Sequence, residues 1–233
     1  MTGPGSVAGR RGDGYEFVEL RAYQPGDDPR RIDWAATARS GEAQIRVMRE
    51  ENPLEIAVLI DDSASMRIGR ARTLLEAAGD ATAAWVEMAE MGDRVVRIDG
   101  DGIDIPRGLA IARRALRRSA ALLVVSDFYW IEDRAAFIDL AIALGRRLDV
   151  TALIAHDPWF EALPLRGFVR LRDAESGRVE RLFIGKPERL RYLDAVQGRE
   201  RDLSATLEEC GWRTGVLTEE DGRRSLYSAF GLT

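Results

Sequence analysis

Three apolar runs constrain this chain more than any other feature: LEIAVLI at 54–60, AALLVV at 120–125 and VTALIA at 150–155. Each has strand length and lacks the in–out polar alternation of a half-solvated strand. Each therefore reads as a strand buried on both faces, the hallmark of a sheet covered above and below. Helical patterns separate them. Leu74, Ala78, Ala81, Trp85 and Met88 recur at helical spacing between Gly69 and Met91, and Gly92 stops that run. Gly108 to Arg118 reads as a short helix. Phe137, Ile138, Ala141, Ile142 and Leu144 form an inward stripe over Asp133–Leu148.

The same alternation continues to the end of the chain. Pro187 opens a long helix to Glu209, proline being welcome in a first turn. WRTGVLT at 212–218 is a last strand, and Arg223–Phe230 a last helix. Strands that alternate with helices specify an α/β fold: a mostly parallel central sheet with helices on both faces, joined by right-handed crossovers. FVRLRD and RVERLFI, flanking Glu-Ser-Gly at 175–177, predict a β-hairpin insertion near 166–185. DRVVRI, DGDG and IDIP, from Asp93 to Pro106, read as a second short hairpin, since Asp-Gly pairs favour tight turns. Before the first buried strand lies an N-terminal extension. Residues 1–14 read as a flexible arm, 15–52 as a charged segment packing on the core, and 53–233 as the α/β domain.

Composition removes several functions. Lys+Arg 34 against Asp+Glu 39 leaves a net charge of -5, which speaks against nucleic acid as partner because phosphate binding needs a basic face. The single cysteine, Cys210, excludes an intramolecular disulfide and a thiolate zinc cluster. No apolar run reaches membrane-spanning length, and the first residues lack the apolar centre of a secretory signal. The expected setting is the cytoplasm.

In open parallel sheets ligands bind beyond the carboxyl ends of the strands. Three strands end there in acids: Asp61 and Asp62, Asp127 with Ser126 before it, and Asp157. Asp61, Ser63 and Ser65 form D-x-S-x-S, whose alternate side chains converge in an extended segment. One carboxylate and two hydroxyls, with Asp127 from the neighbouring strand, are hard donors suited to Mg2+. The same residues are also preferred helix caps that need no metal. Both readings stand at this point.

A longer pattern precedes the serines. Arg21, Tyr23, Pro25, Gly26, Asp27, Asp28, Arg30, Ile32, Asp33, Trp34, Ala38 and Arg39 follow R-x-Y-x-P-G-D-D-x-R-x-I-D-W with A-R after it. This resembles the signature of the bacterial and archaeal "domain of unknown function 58" family, and the likeness continues through LIDDSASM, VVSDF and HDPWFEALPLRG to WRTGVLT. The resemblance implies a fold like that of von Willebrand factor A domains, whose metal-ion-dependent adhesion site uses D-x-S-x-S. It thereby implies Asp61, Ser63, Ser65 and Asp127 as metal ligands, and a MoxR-type AAA+ ATPase as partner. The threonine that such domains supply from a further loop has no counterpart in residues 97–119, where Asp99, Asp101 and Asp104 are the candidate substitutes.

The signature segment mixes Arg21, Arg30, Asp27, Asp28 and Asp33 with Tyr23 and Trp34. It reads either as a partner-docking surface, since arginine and aromatics dominate hot spots, or as an ion-paired latch. His156 is the only histidine, and no G-x-S-x-G elbow accompanies any serine. Trp130, Trp159 and Phe160 follow strand ends and fit the same rim. The leading expectation is a non-enzymatic binding module. The alternative is a Mg2+-dependent phosphate-ester hydrolase using Asp61 or Asp62.

Overall fold

The apolar runs form strands whose hydrophobic side chains pack into one or the other of two cores, while Glu55 pairs with Arg94 and Thr151 with Arg213. A computed structural model describes residues 15–50, 54–89, 93–98, 104–129 and 131–232. The chain divides into two compact units, Met1–Pro53 and Leu54–Thr233.

The first unit is a strand–helix–strand motif. Strand β1 (Tyr15–Ala22) pairs antiparallel with β2 (Gln44–Glu50). Between them lie a 3-10 turn, Pro29–Arg31, and helix α1 (Trp34–Ser40). Asp33 caps α1 by accepting from the Ala35 and Ala36 amides, and Gly41 ends it at φ 77, a left-handed conformation that favours glycine.

The second unit holds a five-stranded sheet, parallel throughout. Its strands are β3 (Glu55–Ile60), β4 (Arg94–Arg97), β5 (Ala121–Ser126), β6 (Asp149–Ala155) and β9 (Arg213–Leu217). They lie in the order β4-β3-β5-β6-β9. The central strands alternate between two cores. Ala57, Leu59, Leu122 and Val124 face one side, with helices α3 (Ile105–Ala115), α4 (Arg134–Gly145) and α5 (Lys186–Glu209). Ile56, Val58, Leu123 and Val125 face the other, with α2 (Leu74–Glu87) and α6 (Gly222–Ala229). Helices thus cover both faces, as the nearly continuous apolar runs require.

Local signals fix the helix starts. Thr73 and Glu76 make a reciprocal capping box at α2, while Asp133 and Asp221 cap α4 and α6. Buried Trp85 and Trp212 satisfy their indole N–H groups on the carbonyls of Ala57 and Ala141.

The expected hairpin at Gly167 to Ile184 forms: β7 (Gly167–Arg172) pairs antiparallel with β8 (Val179–Ile184). The expected hairpin over 93–106 does not. Strand β4 pairs parallel with β3, and Ile105 and Pro106 open helix α3, whose first turn is capped by Asp104. Proline in a first helical turn behind an aspartate cap outweighs the turn signal of the preceding Asp-Gly pairs. Those pairs, at 99–102, and the N-terminal arm at 1–14 lie outside the described residues.

Candidate functional site

The strand order reverses between β3 and β5. From β3 the chain steps outward to β4, then returns across the sheet to β5 on the other side of β3. Such a switch point leaves a crevice beyond the strand ends, because the flanking crossovers run to opposite faces. Asp61 follows β3 at this point, Ser126 ends β5 and Asp127 follows it.

The structure brings Asp61, Ser63, Ser65 and Asp127 together. Asp61 Oδ1 accepts from the Ser63 amide at 2.9 Å. The hydroxyls of Ser63 and Ser65 lie 3.0 Å apart, and Ser65 also hydrogen-bonds Asp127. Asp127 is 5% exposed, and its Oδ1 accepts from the Tyr129 amide at 2.9 Å.

Three further residues join them. Ser126, wholly buried, donates its hydroxyl to Asp61 Oδ2 at 2.5 Å and accepts from the Phe128 amide at 2.8 Å. Glu175, in the β7–β8 turn, accepts from the Ser65 amide at 2.8 Å. Arg199 of α5 donates to the Asp127 carbonyl at 2.7 Å, its guanidinium 3.6 Å from the Tyr129 ring centre. Ser126 was visible at its strand end, but Glu175 and Arg199 reach the site from distant segments and leave no local signature.

Asp61, Ser63, Ser126 and Glu175 border a cleft of about 450 Å³, which Ser65, Asp127 and Arg199 do not line. Four acids line it, Asp61, Asp62, Asp104 and Glu175, with no lysine, arginine or histidine among the described lining residues. Asp104 spends one oxygen on its helix cap, accepting from the Arg107 amide at 2.7 Å. Asp99 and Asp101 lie outside the described residues, as does Trp130. Burial pushes the Asp127 carboxyl above the usual carboxylate range, and the charge of Asp61 adds to that; hydrogen bonds from Ser65 and Tyr129 oppose it. Asp61, Ser63, Ser65 and Asp127 are the residues that could hold a hard divalent cation; both Asp61 oxygens already accept hydrogen bonds, and among the described residues no group of three or more acids, histidines or cysteines is placed to hold a metal. The cap reading fails: the Asp61 carboxylate accepts the Ser63 amide within the loop, the following 3-10 turn has no side-chain cap, and Thr73 caps α2.

The other sequence candidates have local partners. Arg21 and Asp27 form a two-pronged ion pair at 2.8 and 2.7 Å, which holds the Asp27 carboxyl below the usual range. Asp28 accepts from the Arg30 amide, and Asp33 pairs with Arg46 at 2.8 Å as well as capping α1. Tyr23 is half-buried, whereas Trp34 is 71% exposed. His156 bonds Glu200 at 2.8 Å and stacks on Phe160; no serine hydroxyl reaches it among the described residues. Asp157 accepts from the Tyr192 hydroxyl at 2.6 Å.

Comparison with known proteins identifies the lineage. The model of the family described as "Protein of unknown function DUF58" matches residues 19–101 and 87–202. The chain belongs to the DUF58 family. Uncharacterized proteins of Mycobacterium tuberculosis (Rv1480) and Mycobacterium bovis (Mb1516) are 30% identical to this DUF58 chain over 239 residues, covering 86% of it and 73% of their own length. Two solved structures are similar. One is an aerotolerance-related membrane protein from Bacteroides fragilis, with TM-score 0.45 and 13% identity over 76% of this chain and 97% of that one. The other is the conserved hypothetical protein BatB from Bacteroides thetaiotaomicron, with TM-score 0.37 and 16% identity over 67% and 98%. Among the described residues of this DUF58 member, no helix is long and apolar enough to cross a membrane.

Proposed function

We propose that this chain is a non-catalytic protein-binding module, of von Willebrand A type, whose switch-point cleft holds Mg2+ and presents it to a partner's carboxylate. The observation that carries this reading is electrostatic. Four acids face one cleft with no basic residue among its described lining, and Asp127 stands buried behind them. Like charges gathered at one rim repel one another, and a divalent cation is the counter-charge that hard oxygen donors select. Asp61, Ser63, Ser65 and Asp127 are the ligands in this reading. A bound Mg2+ would supply a positive centre with exchangeable positions, suited to an acidic side chain from outside.

A MoxR-type AAA+ ATPase is the proposed partner, and this rests on the family resemblance alone. Arg21, Tyr23, Arg30 and Trp34 are proposed as its second contact surface, with Asp27, Asp28 and Asp33 holding that segment in shape. Nucleic acid is not a proposed partner, given the net charge of -5. The hydrolase alternative would use the same cation; the cleft's described lining adds no basic side chain to share the charge of a phosphoryl group.

Calorimetric titration with MgCl2 tests the reading. Wild-type protein should give saturable heat that Asp61→Ala abolishes, and a MoxR-type ATPase should bind the wild type in Mg2+ and not in chelator. Absence of heat at millimolar Mg2+ overturns the cation site. Mg2+-dependent phosphatase turnover lost in Asp61→Asn would overturn the non-catalytic assignment.

A further inference from the structure

The β7–β8 ribbon carries a second surface whose chemistry is opposite to that of the cleft. Directly opposed residues in an antiparallel pair share a face, so the register places Phe168 beside Phe183, Arg170 beside Arg181, and Arg172 beside Val179 on one side. All six are exposed. Val169, Leu182 and Ile184 point the other way, and the burial of Ile184 marks that side as the inner one.

The outer face is costly as it stands. Phe168 is 89% exposed and Phe183 58%, their rings meeting edge-to-face at 5.1 Å. Arg170 opposes Arg181 across the ribbon, a like-charge pairing that disfavours the hairpin. The nearest acid on the strands, Glu180, belongs to the inner face and pairs with Arg178. Arg170, Arg172 and Arg181 make no ion pair or side-chain hydrogen bond among the described residues. A positive, aromatic face on a chain of net charge -5 is a local inversion of its field.

We propose that this face is a docking surface for an extended, acidic segment of a partner protein that also carries a large apolar side chain. The partner's carboxylates would sit between Arg170, Arg172 and Arg181, and its apolar group would cover the Phe168–Phe183 pair. Arginine and aromatic side chains are the usual source of interface hot spots, and charge complementarity selects the partner's sign. The phenylalanines lie at the end of the ribbon away from its turn, and Glu175 ties that turn to the Ser65 loop. The acid-lined cleft near that turn repels a nucleic-acid strand more strongly than a short acidic peptide. This inference rests on the ribbon alone and does not depend on a cation in the cleft.

Fluorescence polarisation with a labelled peptide that alternates Glu with Phe and Leu provides the test. The same peptide with Lys for Glu, anionic phosphatidylglycerol vesicles and a single-stranded oligonucleotide form the other arms. The acidic peptide should bind wild-type protein and the Asp61→Ala variant alike, and weaken as salt shortens the screening length. Arg170→Glu with Arg181→Glu, and separately Phe168→Ser, should each weaken it at least about tenfold, the scale of a lost hot-spot contact. Arg170→Gln with Arg181→Gln keeps the test valid if the glutamates unfold the ribbon, with circular dichroism as the check on folding. No peptide binding, equal binding by the ribbon variants, or stronger binding to vesicles or oligonucleotide overturns the proposal.

Discussion

The carboxylate of Glu175 accepts the backbone N–H of Ser65 at 2.8 Å across a separation of 110 residues. The contact ties the turn of a hairpin to the loop that bears the D-x-S-x-S residues. Glu175→Ala should free that turn: the Ser65 amide should exchange faster with deuterium, and residues 173–178 should become more open to protease. Global stability should fall by only about 1 kcal/mol, the net worth of a solvent-accessible hydrogen bond.

Ser126 is the pivot of the polar network, donating to Asp61 and accepting from the Phe128 amide. Ser126→Ala leaves a buried amide and a carboxylate oxygen each without this partner. Unfolding in urea should show a loss of about 1–3 kcal/mol, and the heat of Mg2+ binding should weaken, because Asp61 loses the group that orients it.

Asp127 gives a pH signature. Its folded-state carboxyl is raised, chiefly by burial, so the folded chain holds that proton more tightly than the unfolded chain. Its contribution to stability is therefore complete below the unfolded value of about 4 and declines as pH rises through the folded value. In chelator at neutral pH, Asp127→Asn should melt higher than wild type, the gap closing as pH approaches about 4. With Mg2+ present the order should reverse, since the wild type alone gains a charged ligand. Scanning calorimetry across pH, with and without Mg2+, checks both halves.

Packing makes its own prediction at Gly222. A Cβ there would lie 1.8 Å from the Ala77 carbonyl oxygen, in the tight contact between α6 and α2. Gly222→Ala should destabilise the fold by about 3 kcal/mol, at the upper end of overpacking costs, visible as a lowered denaturant midpoint. The cleft lies elsewhere, so Mg2+ affinity measured well below the transition should hold.

The buried strands were legible because burial on both faces demands nearly continuous apolar runs, and 54–60, 120–125 and 150–155 satisfy that with only Glu55 and Thr151 interrupting. Asp61 and Asp127 were equally legible, since residues that end neighbouring parallel strands arrive at one edge. Strand β1 and helix α1 escaped the sequence reading, although Asp33 before α1 and Gly41 after it are ordinary start and stop signals. There the density of charge in the segment masked the capping residues. Ile105 and Pro106 misled in the other direction, because Asp-Gly pairs suggest a hairpin while Asp104 and Pro106 jointly start a helix. Glu175 and Arg199 could not be read at all, for their roles depend on where a hairpin and a long helix fold back.

The order β4-β3-β5 has an evolutionary corollary. The hollow beyond the strand tips is a product of how the backbone is threaded, so it exists whatever side chains decorate its rim. Selection can therefore add, retune or erase polar groups there while the apolar layers beneath keep the molecule folded, and descendants of one ancestor can diverge in what they grip without relearning how to fold.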